Sequence, residues 1–241
     1  MAKWNGFSAE ALQFLRELEQ NNTREWFQPR KQLYEQWLRE PMTGLVGAIN
    51  GKLAKAAPEL VAEPARAIYR IYRDTRFSKD KTPYKTHIGA LWPHRALGKH
   101  GCAALYLAFS AREVEVAGGV YMPPDEDLRA LRHYLLETPE EFRTLAASPK
   151  LLRLLGNVQG ARLARPPKGF PVSHPAADLL RYKQIYWFTL LDPELALSKR
   201  LLSEVWRRFD ALLPVVNYLN RPLTAKNQKA REQAVFDRWE W

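Results

Sequence analysis

The stretch Cys102–Gly119, CAALYLAFSAREVEVAGG, decides how this chain folds. Leu105, Leu107 and Phe109 recur at every second position, and Val114 and Val116 alternate with Glu113 and Glu115. Period-two alternation marks a strand with one face on a core and the other toward water. Ser110-Ala111-Arg112 has the length of a hairpin connection, so the stretch predicts two antiparallel strands. Gly118-Gly119 marks either a bulge or a close approach of backbone.

Outward from this hairpin, THIGALW (Thr86–Trp92) reads as the preceding strand and AIYRIYRD (Ala67–Asp74) as another. RYKQIYWFTLL (Arg181–Leu191) supplies one more. The flanks are helical. Ser8 is a cap, with Phe7 and Leu12 at the spacing of a hydrophobic staple. Thr23 caps a second helix that Pro29 breaks or restarts. Pro41 suits the first position of a third, whose Met42, Leu45, Val46, Ile49 and Leu53 follow helical spacing. After Pro123-Pro124, Asp125 or Asp127 caps a run through Leu128, Leu131 and Leu135. Pro139 begins a further helix, and Ser148 with Pro149 starts another. SKRLLSEVWRRFDALLPVVNYLN (Ser198–Asn220) is a long amphipathic helix with Pro214 near its end. The expectation is an α+β fold: an antiparallel meander sheet packed against several helices, as a single domain over 1–220. A polar C-terminal tail, 221–241, follows, with Trp239 and Trp241 available to dock it.

Composition narrows the classes. Of 241 residues, 46% are apolar, ample for a core, but no run is long enough to span a membrane. Glu10 and Glu17 interrupt the N-terminal apolar residues, which argues against a signal peptide. Cys102, the only cysteine, excludes an internal disulfide and a multi-cysteine zinc site, and points to a cytoplasmic protein. No phosphate loop, dinucleotide fingerprint, zinc-protease motif or nucleophile elbow occurs. Neither cofactor nor metal is therefore expected.

The net charge is +11. Residues 66–99 hold nine Lys/Arg against Asp74 and Asp80, and residues 150–183 hold seven against Asp178. These two segments account for the basic character, and both carry candidate site residues. In the first, Arg73, Arg76, Lys79, Lys81 and Lys85 are anion-binding candidates, with Asp74 and Asp80 orienting them. In the second, Lys168, Arg181 and Lys183 are the candidates, because a lysine before glycine in a proline-rich turn offers ammonium and backbone N–H together. Tyr84, Tyr121 and Tyr182 are placed to stack on a base or bond an oxygen. For proton transfer the candidates are Asp74, Tyr84 and His87. Each has an ordinary counterpart: acids that pin a loop, a proline turn, a packed strand histidine.

NNTREWF (Asn21–Phe27), RDTRFSKDKTPYKTHIGA (Arg73–Ala90), GGVYMP (Gly118–Pro123), PKGF (Pro167–Phe170) and RYK (Arg181–Lys183) together resemble the bacterial and fungal family known as domain of unknown function 2461. The resemblance runs from about Phe7 to about Asn220 and implies that both basic stretches belong to the family's characteristic motifs. It brings no mechanism. Three functional readings follow. In the first, the cations contact phosphates of nucleic acid. In the second, they hold a phosphorylated or carboxylated small molecule for an enzymatic step. In the third, the charged motif is a structural ion-pair latch, and function lies in a protein partner.

Overall fold

The computed structural model describes residues 4–99 and 101–239. Helices α1 (Ala9–Gln20), α2 (Arg24–Phe27), α3 (Lys31–Tyr34), α4 (Glu40–Ala56) and α5 (Pro64–Ala67) lead into strands β1 (His87–Trp92), β2 (Ala104–Ser110) and β3 (Val114–Val120). Helices α6 (Asp125–Glu137), α7 (Pro139–Ala146), α8 (Pro149–Leu155) and α9 (Ala177–Leu180) precede strand β4 (Ile185–Leu191), and α10 (Arg200–Trp239) closes the described chain. The sheet is antiparallel, with spatial order β1-β2-β3-β4. This is the α+β meander that the alternation predicts. No described helix is long and apolar enough to cross a membrane.

The chain divides into two compact units, Met1–Trp92 with Tyr106–Val116 and Thr189–Arg208, and Pro93–Leu105 with Ala117–Phe188 and Phe209–Trp241. Strands β2, β3 and β4 each contribute residues to both. In the first unit, Leu107, Phe109, Val114 and Val116 are buried, as are all five stripe residues of α4. Phe7 packs on Phe109 with centroids 4.8 Å apart, and Trp92 donates from Nε1 to Asn50 Oδ1 at 3.1 Å. The Ser110–Arg112 turn is closed by the Ser110 hydroxyl, which donates to Glu113 O and accepts from the Arg112 N–H.

Three details of this unit depart from expectation. Residues 68–73 are not a full strand. They pair with β1 and the residues before it only at Ile68–Ala90 and Tyr72–Tyr84. Three residues separate 68 from 72 where five separate 84 from 90, so a bulge breaks the ladder. Ser8 occupies the N-cap of α1 without its side chain capping a backbone N–H, whereas Thr23 accepts from the Trp26 N–H as expected. Pro41 does not begin a separate helix. A five-residue π turn, Glu35–Arg39, joins α3 to α4 without a break. Proline cannot donate to the carbonyl four residues back and its ring crowds that carbonyl, so a widened turn just before it relieves both problems.

In the second unit, Phe142, Trp187 and Tyr218 form the aromatic centre. Arg132 of α6 is buried and donates to Leu180 O and Tyr182 O, both at 2.9 Å, covering the carbonyl end of α9. Burial lowers its pKa, but an arginine stays charged. Asn220 exchanges two 2.9 Å bonds with the backbone of Ala103. With Lys226 bonded to Asp127 at 2.8 Å, it holds α10 as helix through the region expected to be tail. The docking of Trp239 and Trp241 concerns side chains outside the described residues. Gly118-Gly119 is a close approach: a Cβ on Gly119, at φ +129°, would lie 2.3 Å from Ile185 O.

Gly119→Ala is therefore expected to lower stability by more than about 1 kcal/mol. Gly47→Ala is expected to raise it by about 0.5–1 kcal/mol, since that glycine lies in α4 with nothing within 4 Å of its added Cβ. Urea unfolding of both variants checks the opposite signs.

Candidate functional site

The basic motif Arg73–Lys85 is a loop on a short antiparallel stem. The stem is closed by Arg73 N–H to Pro83 O (2.9 Å) and Lys85 N–H to Ile71 O (2.8 Å). Within the loop both acids are engaged locally. Asp74 Oδ1 accepts from the Arg76 backbone N–H (3.2 Å) and Nε (3.0 Å), and its Oδ2 accepts from Arg76 Nη2 (2.7 Å). Asp80 Oδ1 accepts from the Thr82 N–H at 2.9 Å, and Oδ2 accepts from Arg73 Nη1 and the Thr82 hydroxyl. The Arg76 side chain, then its backbone N–H, holds the Asp74 carboxyl down to about 2. The Thr82 N–H, then Arg73, does the same for Asp80. Both acids are solvent-exposed, and they shape the loop.

The cations divide by their tasks. Arg73 is half-buried, its guanidinium spent on Asp80 and on the carbonyl and hydroxyl of Thr82. Arg76, Lys79 and Lys81 are exposed. Lys81 donates to Thr75 O at 2.9 Å, while Lys79 has no hydrogen bond or ion pair among the described residues. Exposed Arg70 lies near enough for its charge to act on Asp74. Lys85 Nζ sits 4.8 Å from the centre of the Tyr69 ring. Phe77, at the loop's tip, is 95% exposed.

Tyr84 is committed to the core. It is 1% exposed, stacked on Phe27 at 4.1 Å, with its hydroxyl 3.5 Å from Gln28 Nε2, and offers no free ring face. Its backbone is clamped by one side chain: Asn22 Nδ2 donates to Tyr84 O at 2.9 Å, and the Tyr84 N–H donates to Asn22 Oδ1 at 3.0 Å. The tie from helices to motif is thus a neutral amide from NNTREWF.

His87 lies half-buried on the sheet face away from α4. Burial, and then the charge of Lys85, lower its pKa and keep the ring neutral at pH 7. Tyr69 and Tyr106 meet edge to face at 6.3 Å, and the Tyr106 hydroxyl fills the space a side chain on Gly89 would take. Burial pushes the Tyr106 phenol up, with Glu115 adding to the effect. Glu115 is itself raised by burial and by Glu113. The sequence reading missed Tyr69, Tyr106 and Glu115, because the non-core positions of alternating strands read as solvent-facing. Their polar character on one shared strand face was the available signal.

The second basic segment belongs to the other unit, so neither unit holds all eight candidate cations. There, exposed Lys168 follows Pro167 in a turn closed by Phe170 N–H to Pro167 O. Arg181 Nε donates to Leu163 O at 2.7 Å. Lys183 is exposed, while its backbone N–H bonds Ala161 O. Tyr182 is buried, its hydroxyl accepting from Arg162. Tyr121 is exposed and meets Tyr186 edge to face at 5.4 Å. The segment's one acid, Asp178, pairs with Arg143 at 2.6 Å. Among the described residues, no group of three or more His, Cys, Asp or Glu could hold a metal ion.

Residues 10–218 match the model of the family described as conserved hypothetical protein, DUF2461. The chain belongs to this family. No curated protein and no solved structure matches it. Membership covers Asn22 and both basic segments, and assigns a role to none of them.

Asn22→Ala removes both bonds to Tyr84 and is expected to cost about 1–3 kcal/mol, with faster amide exchange at Arg73 and Lys85 than in wild type. His87 gives a pH signature. Unfolded, it takes up a proton near its ordinary 6.5, and the folded ring resists that proton. Stability is therefore expected to fall as pH drops below about 6.5, and His87→Gln to flatten that limb of a Tm-against-pH curve.

Proposed function

We propose that the chain binds nucleic acid through the loop Arg73–Lys85. The observation that carries this reading is the loop's charge arrangement. Asp74 and Asp80 are already paired with Arg76 and Arg73, while Arg70, Lys79 and Lys81 are displayed to solvent with no carboxylate partner among the described residues. Dispersed cations on an open projection suit a chain of phosphates, each exchanged for released counterions. They suit a small anion less well, since that calls for groups converging on an enclosed space. Two clefts of about 340 and 350 Å³ lie elsewhere. Glu10, Glu17 and Trp37 help line one; Glu35, Arg39 and Glu40 help line the other. The latch reading is less favoured, because its charges lie at the surface, where ion pairs contribute little. Buried Cys102 fits a reducing, cytoplasmic setting.

A second reading has its own support. Lys85, His87, Tyr106 and Glu115 collect polar, half-buried groups on one sheet face, as an enzyme acting on a small phosphorylated or carboxylated compound would require. In that case, chemical-shift changes on adding inorganic phosphate or a dicarboxylate would centre on His87.

The test is fluorescence anisotropy with labelled single-stranded RNA, single-stranded DNA and duplex across a salt series. Affinity is expected to fall steeply with salt. The Lys79→Ala/Lys81→Ala variant is expected to bind more weakly and to flatten the slope of log K against log salt by about 1.4 for single strands. No binding at low salt would retire the proposal.

A further inference from the structure

We infer that Phe77 is a base-stacking residue and makes this loop select unpaired strands. The inference rests on the nucleic-acid reading and adds the part of the ligand that is recognised. Among the described residues, Phe77 is the most exposed of the large apolar side chains. The Arg76 guanidinium lies 5.8 Å from its ring centre, and Ser78 and Lys79 follow it. The residues around it are tied down: the Asp74 carboxylate bonds Arg76, the Ser78 N–H donates to Thr75 O, and Lys81 donates to the same carbonyl. The phenyl ring is thus presented by a fixed backbone, and its apolar neighbours in the core leave it alone.

An aromatic ring held outward among cations has the two elements of a single-strand platform: charge that follows the phosphates and a π face that takes a base. In a duplex the base faces are already stacked on one another, so the ring gains nothing there, whereas an unpaired base offers a whole face. Arg76 contributes twice, since a guanidinium can pair with phosphate and also lie against an aromatic plane. A lipid surface is the other destination for such a ring. One aromatic side chain is a weak anchor, because stable attachment takes a larger apolar face or a second signal, and the flanking Ser78 and Asp80 extend no apolar face.

The experiment compares wild type, Phe77→Ala, Phe77→Trp and Lys79→Ala/Lys81→Ala. The probes are labelled oligo(dT), an abasic strand of the same length, a duplex, and vesicles of phosphatidylserine with phosphatidylcholine. Phe77 is exposed, so its substitutions are expected to leave the fold intact, which circular dichroism checks. Phe77→Ala is expected to weaken oligo(dT) binding about 5- to 140-fold, the range set by one base stacked on an aromatic ring. It is expected to leave the salt slope and the affinities for abasic strand and duplex unchanged, and Phe77→Trp to retain wild-type binding. Loss of binding in the lysine variant with none in Phe77→Ala would overturn the inference and leave the nucleic-acid reading standing. Equal losses on oligo(dT) and abasic strand would also overturn it. Failure of wild type to bind any nucleic acid would remove both, and vesicle binding abolished in Phe77→Ala would identify lipid as the ring's target.

Discussion

One side chain fixes where the charged loop begins. Asn22 presents donor and acceptor together to the backbone of Tyr84, satisfying two groups that would be costly to leave unpaired beside a buried ring. With Tyr84 held there, its ring lies on Phe27, the stem pairing at Tyr72 falls into register, and the residues beyond project as one unit. An amide serves this purpose better than an ion pair. It makes both bonds without a charge to desolvate, and it is indifferent to salt and pH.

The loop then separates two uses of charge that look alike in a sequence. Asp74 and Asp80 each accept from a backbone N–H two residues on and from a guanidinium, fixing the local turns. Arg73 is drawn into the same network. The remaining cations have no carboxylate left to answer them within the loop. Counting charges along the chain finds the excess; only the hydrogen bonds say which of the cations constitute it.

Much of the architecture was legible because burial leaves a period. The alternation of Leu105, Leu107 and Phe109 fixed the hairpin, and the stripe from Met42 to Leu53 fixed α4 with its buried face. What was hidden depended on partners distant in sequence. Tyr84 looked like a surface aromatic in a charged run, since nothing local shows that Phe27 lies against it. Tyr106 and Glu115 looked solvent-facing, because alternation tells core from non-core and is silent on what else meets the other face. Residues 68–73 have strand composition, yet the bulge opposite them limits the pairing, and no propensity encodes that. The end of α10 was also misjudged: Pro214 and the polar run from Arg221 suggested termination, while Asn220 and Lys226 find partners within the region that continues as helix.

The π turn at Glu35–Arg39 has a further consequence, for helix phase. Each residue of an α-helix advances the direction of its side chains by about 100°, and a four-residue step falls about 40° beyond a full turn. Tyr34, Leu38 and Met42 are spaced by four and are all buried. The widened turn absorbs the drift that two such steps would accumulate, so Tyr34 stays on the side that α4 buries. Regular winding at the present length would swing Tyr34 about 80° away from Phe14 and Phe27, whereas deleting one residue would leave Tyr34 and Met42 seven apart, about 20° short of two full turns, and keep the buried side. These five positions thus carry one residue more than a regularly wound helix would need between the same two buried side chains.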